Sequence, residues 1–376
     1  MAINLIDIKQ KLTTHLQKRE QFDPDTLTSV HCPYPITILG NDNDTTGGKS
    51  LTAALDIYTT LIFYPNDNEN IKLYIKEVPG IFKTNLNNIG VAVRGDWVNA
   101  VKGAAKILKE KYNIKTGFTG VFSFPFPNSL LIESTIIQQL ILIALGKSNN
   151  LDIADYTDLS EHIDRDFLNL DLTNVDSITL KHSRVGTIEY VDFERSKLKL
   201  LKNKGENRFK IIVVNTNNIL SNKFCDLDDL KNLKTILEMM SGKKDSNKNG
   251  IDVEIYKEFR ERLPEDVTAI GDYYFLEQKR IEKTSEAWKI NDINETGKLL
   301  SESALSRSSD RQTKEIVENI NRIDGVYGVQ ISAKSEIIVF ADLYLVERIK
   351  ERIKVILKGT DFDIQSGEIS NGVITS

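Results

Sequence analysis

Apolar residues in the first part of the chain change from helical to strand-like spacing. From Leu5 to Leu16 they recur every three or four residues, which predicts an N-terminal helix. Residues 28–39 are rich in β-branched side chains and predict a strand, which leads into a polar, glycine-containing loop at residues 40–49. The apolar run 51–64 predicts either a helical turn or a further strand.

Three further elements are predicted before the middle of the chain. Residues 97–111 place apolar side chains at helical spacing with lysines opposite, which predicts an amphipathic helix. A strand is predicted at residues 117–124, and a long apolar helix begins near Ser129. Because this helix contains Gln138 and Gln139, we interpret it as a buried or amphipathic helix and not as a membrane span.

The second half of the chain is predicted to be mostly helical. A charged stretch at residues 202–207 precedes the apolar strand 209–215, so we predict two domains, 1–205 and 206–376. Residues 370–376 are expected to be loosely held. Helical periodicity is present at 227–240, 252–262, 272–290, 293–306 and 311–323, and short strands are predicted within 329–340 and 355–368.

Composition and charge exclude several classes of function. The chain has 376 residues, of which 40% are hydrophobic and 27% are charged, and its net charge of -5 is spread along the sequence. There is no basic patch typical of nucleic-acid binding, and no segment is apolar enough to suggest a signal peptide or a membrane span. Two distant cysteines, Cys32 and Cys225, favour a reducing cytoplasm as the location.

Two short motifs suggest ligand sites but depart from the required pattern. Gly48-Lys49-Ser50 resembles the end of a phosphate-binding loop, yet Asn43 stands where that loop needs a glycine. Residues 245–250 resemble the first half of a calcium-binding loop, yet Tyr256 occupies the position of the bidentate glutamate. We interpret the first as a glycine turn with another role and the second as a solvated turn, so no metal site is predicted.

Several segments in order resemble the galactokinase family. Residues 32–48 (CPYPITILGNDNDTTGG) resemble its signature APGRVNLIGEHTDYNGG, and residues 96–103 (DWVNAVKG) resemble its W-A-N-Y-V-K-G helix. Residues 213–217, 277–280 and 299–304 resemble later family segments, so the similarity extends from about residue 30 to 350. The resemblance implies a two-domain α/β fold of the GHMP-kinase type, with a mixed-sheet N-terminal domain and a ferredoxin-like C-terminal domain.

The resemblance also implies a sugar-binding loop and a catalytic carboxylate. Asp44 matches the sugar-binding aspartate of the family, and the neighbouring candidates for substrate binding are Asn41, Asp42, Gly47 and Gly48. Asn41 and Asp42 replace the family's glutamate and histidine at sugar-contacting positions.

The family's transfer-assisting arginine aligns with Pro35. Its catalytic aspartate aligns with Asp176, with Asp171 as an alternative, and either residue is equally well interpreted as an ordinary surface carboxylate.

The segment that aligns with the family's ATP loop has lost its glycines. The family sequence P-x-G-x-G-L-S-S-S lets bare backbone approach phosphate at the start of a helix. Here Ser129 and Leu131 replace both glycines and Glu133 replaces the first serine, which places an acid where phosphate would bind. Only Ser134 and Thr135 retain hydroxyls suited to a magnesium site. The family's last glycine-rich motif is also shortened, with Lys334 as its one remaining cation.

Two functions are consistent with these residues. The first is a galactokinase-like protein without catalytic activity that binds a sugar or related small molecule, or a protein partner. The second is an active kinase that transfers phosphate from Mg-ATP to galactose or a related sugar, with Asp44 and Asp176 at the substrate. Whether the chain is an enzyme is left open, and Mg-ATP is a cofactor only under the second hypothesis.

Overall fold

The structure is a computed structural model in which the chain forms two compact units. Unit 1 comprises residues 1–35, 54–182 and 371–376, and unit 2 comprises residues 36–53 and 183–370. The division at residue 205 proposed above remains a prediction. The structure describes residues 5–40, 46–127, 134–153, 155–169, 175–205, 208–216, 220, 227–242, 250–308, 310–332 and 334–375.

Both units contain helices and strands, which confirms the predicted α/β class. The strands are β1 (Thr28–Leu39), β2 (Lys49–Pro65), β3 (Asn70–Ile75), β4 (Ile81–Asn85), β5 (Phe118–Ser123), β6 (Thr187–Asp192), β7 (Lys197–Lys202), β8 (Phe209–Asn215), β9 (Val326–Ile331), β10 (Glu336–Asp342), β11 (Asp363–Gly367) and β12 (Ile374–Thr375). The helices are α1 (Leu5–Gln17), α2 (Val98–Tyr112), α3 (Ser134–Ser148), α4 (Tyr156–His162), α5 (Val175–His182), α6 (Leu227–Ser241), α7 (Val253–Phe259), α8 (Glu265–Lys289), α9 (Ile293–Arg307), α10 (Arg311–Asn321) and α11 (Val346–Ile356).

Unit 1 is built on a mixed sheet. Strand β5 pairs antiparallel with β2 and parallel with β3, and β4 pairs antiparallel with β3 at the edge of the sheet. Helix α1 covers one face, because the helical spacing predicted from the sequence places Leu12 and Leu16 against Ile62 and Val121 in the core. The apolar run 51–64 therefore forms strand β2, one of the two predicted alternatives.

Helices α2 and α3 form a second layer of unit 1. Helix α3 is buried around almost its whole circumference, which explains its apolar sequence. Residues Ile163–Phe167 form a π-helical turn that packs closely on α2. A Cβ atom added to Gly103 of α2 would lie 2.5 Å from the Ile163 side chain, so only glycine permits this approach.

Unit 2 contains a four-stranded antiparallel sheet in the order β11-β8-β10-β9. This order is that of a ferredoxin-like domain and confirms the predicted C-terminal architecture. Apolar residues of β8 and β10, such as Ile212 and Val339, pack with Val317 of α10 and Ile349 of α11 in one core. Elsewhere in unit 2, residues 49–52 of β2 pair with β6, which in turn pairs with β7.

Helices α6, α7 and α8 form a separate apolar cluster within unit 2, which includes Leu233, Tyr256 and Tyr274. The chain after Ser370 is not loose as expected, because residues 374 and 375 form strand β12 and pair with β1. In the part of the chain that the structure describes, no helix has the length and apolar character needed to cross a bilayer.

Candidate functional site

The glycine turn after the predicted sugar-binding loop lines a pocket in unit 2. Of the predicted substrate-binding residues, Gly47 and Gly48 are described, whereas Asn41, Asp42 and Asp44 lie outside the described residues. Gly47 has a φ of 68°, which favours glycine. The turn lines a pocket of about 760 Å³. We call this the glycine-turn pocket; its walls include Gly47, Gly48, Lys49, Tyr256, Phe275 and Gln278.

Helix α8 holds the glycine turn in place through hydrogen bonds. The backbone N–H of Lys49 donates to Oε1 of Gln278 at 2.9 Å, and the Tyr274 hydroxyl donates to the carbonyl oxygen of Thr46 at 3.4 Å. The Lys49 ammonium pairs with Glu282 at 2.6 Å. Burial acts to lower the pKa of Lys49, but the hydrogen bond to Glu282 and the charges of Glu282, Tyr190 and Asp192 together outweigh it and raise the pKa. Lys49 is therefore a charged part of the wall.

The opposite part of the pocket wall contains a second set of internally paired groups. Arg260 makes two hydrogen bonds to the Asp272 carboxylate, of 2.9 and 2.6 Å. The Tyr256 hydroxyl donates to Asp272 at 2.8 Å and lies 2.9 Å from the carbonyl oxygen of Thr268. Burial and the Asp272 hydrogen bond raise the pKa of Tyr256 to about 12, so it stays a neutral phenol. Paired charges beside aromatic residues suit a neutral polar ligand better than an ion.

The predicted catalytic residue Asp176 lies in unit 1, in the first turn of α5. Its charge acts on Asp164 of the π-helical turn, a residue that is only 6% exposed. Burial raises the pKa of Asp164 to about 6, the charges of Asp176 and Glu161 act in the same direction, and a hydrogen bond from Gln138 acts against them. The alternative candidate, Asp171, lies outside the described residues.

Gln138 connects these carboxylates to the start of α3. Its Nε2 atom donates to Oδ1 of Asp164 at 2.7 Å and lies 3.4 Å from the hydroxyl oxygen of Ser134. Ser134 and Thr135, the predicted magnesium-side hydroxyls, are the first two residues of α3. We call Ser134, Gln138, Asp164 and Asp176 the polar cluster.

Two predicted residues, Ser134 and Asp176, thus interact with the buried pair Gln138 and Asp164. The sequence analysis did not identify this pair. One signal was present in the sequence: Gln138 is a polar residue in an otherwise apolar helix.

Most of the remaining motifs lie outside the described residues. Residues 128–133, which align with the ATP loop, lie outside the described residues, as do residues 243–249 of the calcium-like motif. Lys334 is described and follows β9, where its backbone N–H donates to the Ser332 hydroxyl at 3.2 Å. Within the described ranges, no group of three or more His, Cys, Asp or Glu residues is placed to hold a metal ion.

Comparison with known proteins finds galactokinases among the sequence relatives of this chain. No protein-family model matches the chain. A galactokinase from Clostridium beijerinckii is 24% identical over 301 residues, which cover 77% of this chain and 76% of that protein. A galactokinase from Bacillus subtilis is 23% identical over 310 residues, which cover 77% and 76% of the two chains.

Solved structures share the fold over nearly the whole length. The Lactococcus lactis galactokinase complexed with galactose matches with a TM-score of 0.79 and 17% identity, and covers 98% of this chain and 99% of that one. The Methanococcus jannaschii mevalonate kinase matches with a TM-score of 0.61 and 18% identity, and covers 91% and 98%. The chain is therefore similar in sequence to galactokinases over about three quarters of its length, and it has a two-unit fold of the GHMP-kinase type.

Proposed function

We propose that this protein is a galactokinase-like protein that binds a sugar or related small molecule and does not transfer phosphate from ATP. The supporting observation is the sequence directly before α3. Helix α3 begins at Ser134, and an ATP-binding member of the family needs bare backbone there so that phosphate reaches the helix N-terminus. Instead, Glu133 immediately precedes the helix, and Ser129 and Leu131 stand at the glycine positions.

The residues present do not fit Mg-ATP. Glu133 adds negative charge at the position where a triphosphate would bind, and like charges repel strongly where water is excluded. The family's arginine that aids transfer is replaced by Pro35, so one stabiliser of developing charge is lost. Asp164 and Ser134 both lie within 3.4 Å of the Gln138 side-chain amide, but the raised pKa of Asp164 makes it a weak magnesium ligand below about pH 6.

The glycine-turn pocket supports the ligand-binding part of the proposal. Its volume of about 760 Å³ is sufficient for a small sugar, and two ion pairs, Lys49–Glu282 and Arg260–Asp272, are formed within its wall. Under this proposal the ligand binds beside Gly47 and Gly48. The L. lactis galactokinase, which shares the fold, was solved with galactose, so hexoses are the first ligands to test.

An active sugar kinase is the second candidate function, and the polar cluster favours it. This candidate is supported by the hydrogen bond between Ser134 and Gln138 and by the charge of Asp176, which acts on Asp164; Ser134 and Asp176 are the residues aligned with magnesium-side and catalytic positions. In this alternative Asp176 accepts the proton of the sugar hydroxyl, and Ser134 and Thr135 hold the magnesium ion that accompanies ATP.

Thermal-shift measurements separate the two functions. A ligand at a hundred times its dissociation constant stabilises a fold by about 2.7 kcal/mol. We expect a hexose alone to raise the melting temperature and Mg-ATP to leave it unchanged. A shift with Mg-ATP, or sugar phosphorylation that is lost in Asp176→Asn, would establish the kinase instead.

A gain-of-function variant tests whether the side chains before α3 prevent ATP binding. The triple substitution Ser129→Gly, Leu131→Gly and Glu133→Ser restores the family pattern before α3. We expect this variant to acquire a thermal shift with Mg-ATP that the unaltered protein lacks. A matched control, Glu161→Ser, removes one acidic residue elsewhere in unit 1 and should acquire no shift. An equal lack of response in the triple variant and the control would show that the loop is not what prevents nucleotide binding.

A further inference from the structure

Strand β4 forms an edge of the unit 1 sheet. It pairs with β3 on one side, and no described strand pairs with its other side. An exposed edge presents backbone N–H and C=O groups on which an extended segment of another chain can add as a strand. Such edges are usually shortened, covered or charged, so the side chains around β4 decide whether this edge is protected or available.

Exposed apolar side chains surround this edge. Ile81 at the start of β4 is 44% exposed, and Val91 and Val93 of the following loop are 78% and 51% exposed. The loop is held to the start of α2, because the Asn99 side chain makes two hydrogen bonds to the Val93 backbone, of 2.9 and 2.6 Å. Contiguous exposed apolar groups of this kind mark interaction surfaces.

Apolar side chains lie on both faces of β4. Phe82 of β4 contacts Trp97, just before α2, with ring centroids 6.1 Å apart. Because side chains alternate along a strand, Ile81 and Lys83 lie on the face opposite to Phe82. An added strand would therefore meet Ile81 on one face and the Phe82 ring on the other.

The charges around β4 are unbalanced. Lys83 at the centre of the strand is directly opposite Lys72 of β3, and like charges in a cross-strand pair are destabilising. One carboxylate lies close to both: Glu20 forms an ion pair with Lys72 and accepts a hydrogen bond from Tyr74. Among the described residues, Lys83 and the exposed Arg94 have no ion-pair partner within 4 Å.

Two acids near β4 are already engaged. Glu77 accepts hydrogen bonds from the Ser123 hydroxyl and the Phe124 backbone N–H, of 2.7 and 3.2 Å. Asp96 accepts a hydrogen bond from the Val98 backbone N–H at 3.0 Å. An added strand with an acidic residue opposite Lys83 would supply the ion-pair partner that Lys83 lacks among the described residues.

We propose that the outer edge of β4 binds an extended segment of a partner protein that carries an acidic residue between apolar ones. A second copy of this chain is a poor occupant, because antiparallel pairing of two β4 strands about their centres would place Lys83 against Lys83. The inference concerns unit 1 alone and does not depend on sugar or nucleotide binding, so it can fail while the proposed function holds.

Synthetic peptides test the inference directly. The probe is a nine-residue peptide of alternating glutamate and valine, and its lysine–valine counterpart is the control. Fluorescence anisotropy should show binding of the acidic peptide at least ten-fold tighter than that of the basic one. Hydrogen exchange of the β4 amides should slow when the acidic peptide is bound, because an added strand protects them. Absence of acidic-peptide binding at millimolar concentration would overturn the proposal.

Charge-reversal variants distinguish specific peptide binding at the β4 edge from non-specific electrostatic attraction to the protein surface. Lys83→Glu should weaken binding of the acidic peptide at least ten-fold and make the basic peptide the better ligand. Lys18→Glu, which makes the same charge change at another exposed lysine of unit 1, should leave both affinities within two-fold. If both variants weaken binding equally, the attraction is non-specific and the proposal is wrong. Lys83→Gln provides the same test with a smaller change if Lys83→Glu does not fold.

Discussion

Gln138 and Asp164, which are 26 residues apart in sequence, are joined in unit 1 by a buried hydrogen bond of 2.7 Å from Nε2 to Oδ1. This bond stabilises the carboxylate form of Asp164, but burial and the charges of Asp176 and Glu161 act more strongly in the opposite direction. The result is a carboxyl group whose pKa is raised from an ordinary 3.8 to about 6. It connects the start of α3 with the first turn of α5.

The raised pKa of Asp164 predicts a pH dependence of stability. Since the folded state keeps a proton that the unfolded chain releases above about pH 4, the free energy of unfolding should fall as pH rises from about 4 to 6. A difference of about two pKa units corresponds to roughly 3 kcal/mol. Asp164→Asn keeps an oxygen that can accept the Gln138 hydrogen bond, but its side chain cannot ionise. The free energy of unfolding of this variant should therefore not show this part of the fall with pH.

Urea denaturation between pH 4 and 7 measures the effect. The difference in free energy of unfolding between the unaltered protein and Asp164→Asn reports the titration of Asp164 alone. Other groups titrate in the same range, such as the buried Glu189, whose pKa is raised to about 7 mainly by burial. Glu189→Gln serves as the matched variant and should remove a decline centred at higher pH. Identical pH profiles for Asp164→Asn and the unaltered protein would contradict the prediction.

Gly271 of α8 is required by the ring of Tyr256. A Cβ atom at this position would lie 2.2 Å from Cε2 and 2.7 Å from the hydroxyl oxygen of Tyr256. We expect Gly271→Ala to displace the ring, break its hydrogen bond to Asp272 and destabilise the protein by about 1–3 kcal/mol, despite the higher helix propensity of alanine. Because Tyr256 lines the glycine-turn pocket, affinity for the sugar should fall as well.

A double-mutant cycle tests whether the clash with the Tyr256 ring causes the loss of stability. In a Tyr256→Ala background the clash is absent, so adding Gly271→Ala should cost nothing or stabilise the helix slightly. Thermal unfolding of the four proteins gives the coupling energy. An equal loss of stability in both backgrounds would show that the ring is not the reason for the glycine.

Gly297 of α9 and Gly328 of β9 mark the closest approach of a helix to the unit 2 sheet. A Cβ atom on Gly297 would lie 2.1 Å from the carbonyl oxygen of Tyr327. Backbone cannot rotate away as a side chain can, so Gly297→Ala should destabilise the protein more than Gly271→Ala does, by about 3 kcal/mol or more. The measurement is the denaturation midpoint, with Lys298→Ala as the neighbouring control.

The control residue has an exposed side chain, so its substitution should change stability by no more than about 0.5 kcal/mol. Comparable losses in Gly297→Ala and Lys298→Ala would refute the close-approach explanation.

The sequence predicted elements well where one face of a helix or strand is buried. The helical spacing from Leu5 to Leu16 and the apolar run at β8 correspond to packed elements because their periodicity reflects core contacts. Strand β7, by contrast, was missed: five of its six side chains, including Leu200, are exposed or half-buried, so its lysine-rich pattern resembles a loop.

The candidate sites were less predictable because they depend on contacts between distant residues. Gln278 and Gly48 are 230 positions apart, yet both line the glycine-turn pocket. Likewise, the sequence marks Gln138 as a polar residue in an apolar helix but does not show that Asp164 is its partner. The family resemblance identified Asp176 and Ser134 as candidates. Only the fold shows that the buried residues Gln138 and Asp164 lie with them in the polar cluster.

Strand β12 has a consequence for how the protein is made. Its residues 374 and 375 pair antiparallel with His31 and Val30 of β1, so the last strand of unit 1 is translated more than 330 residues after the strand it joins. A ribosome releases the polypeptide from its N-terminus onward. Unit 1 therefore cannot acquire its full set of strands while unit 2 is still being synthesised, and the nascent chain must keep the β1 edge available until residues 374 and 375 have been translated.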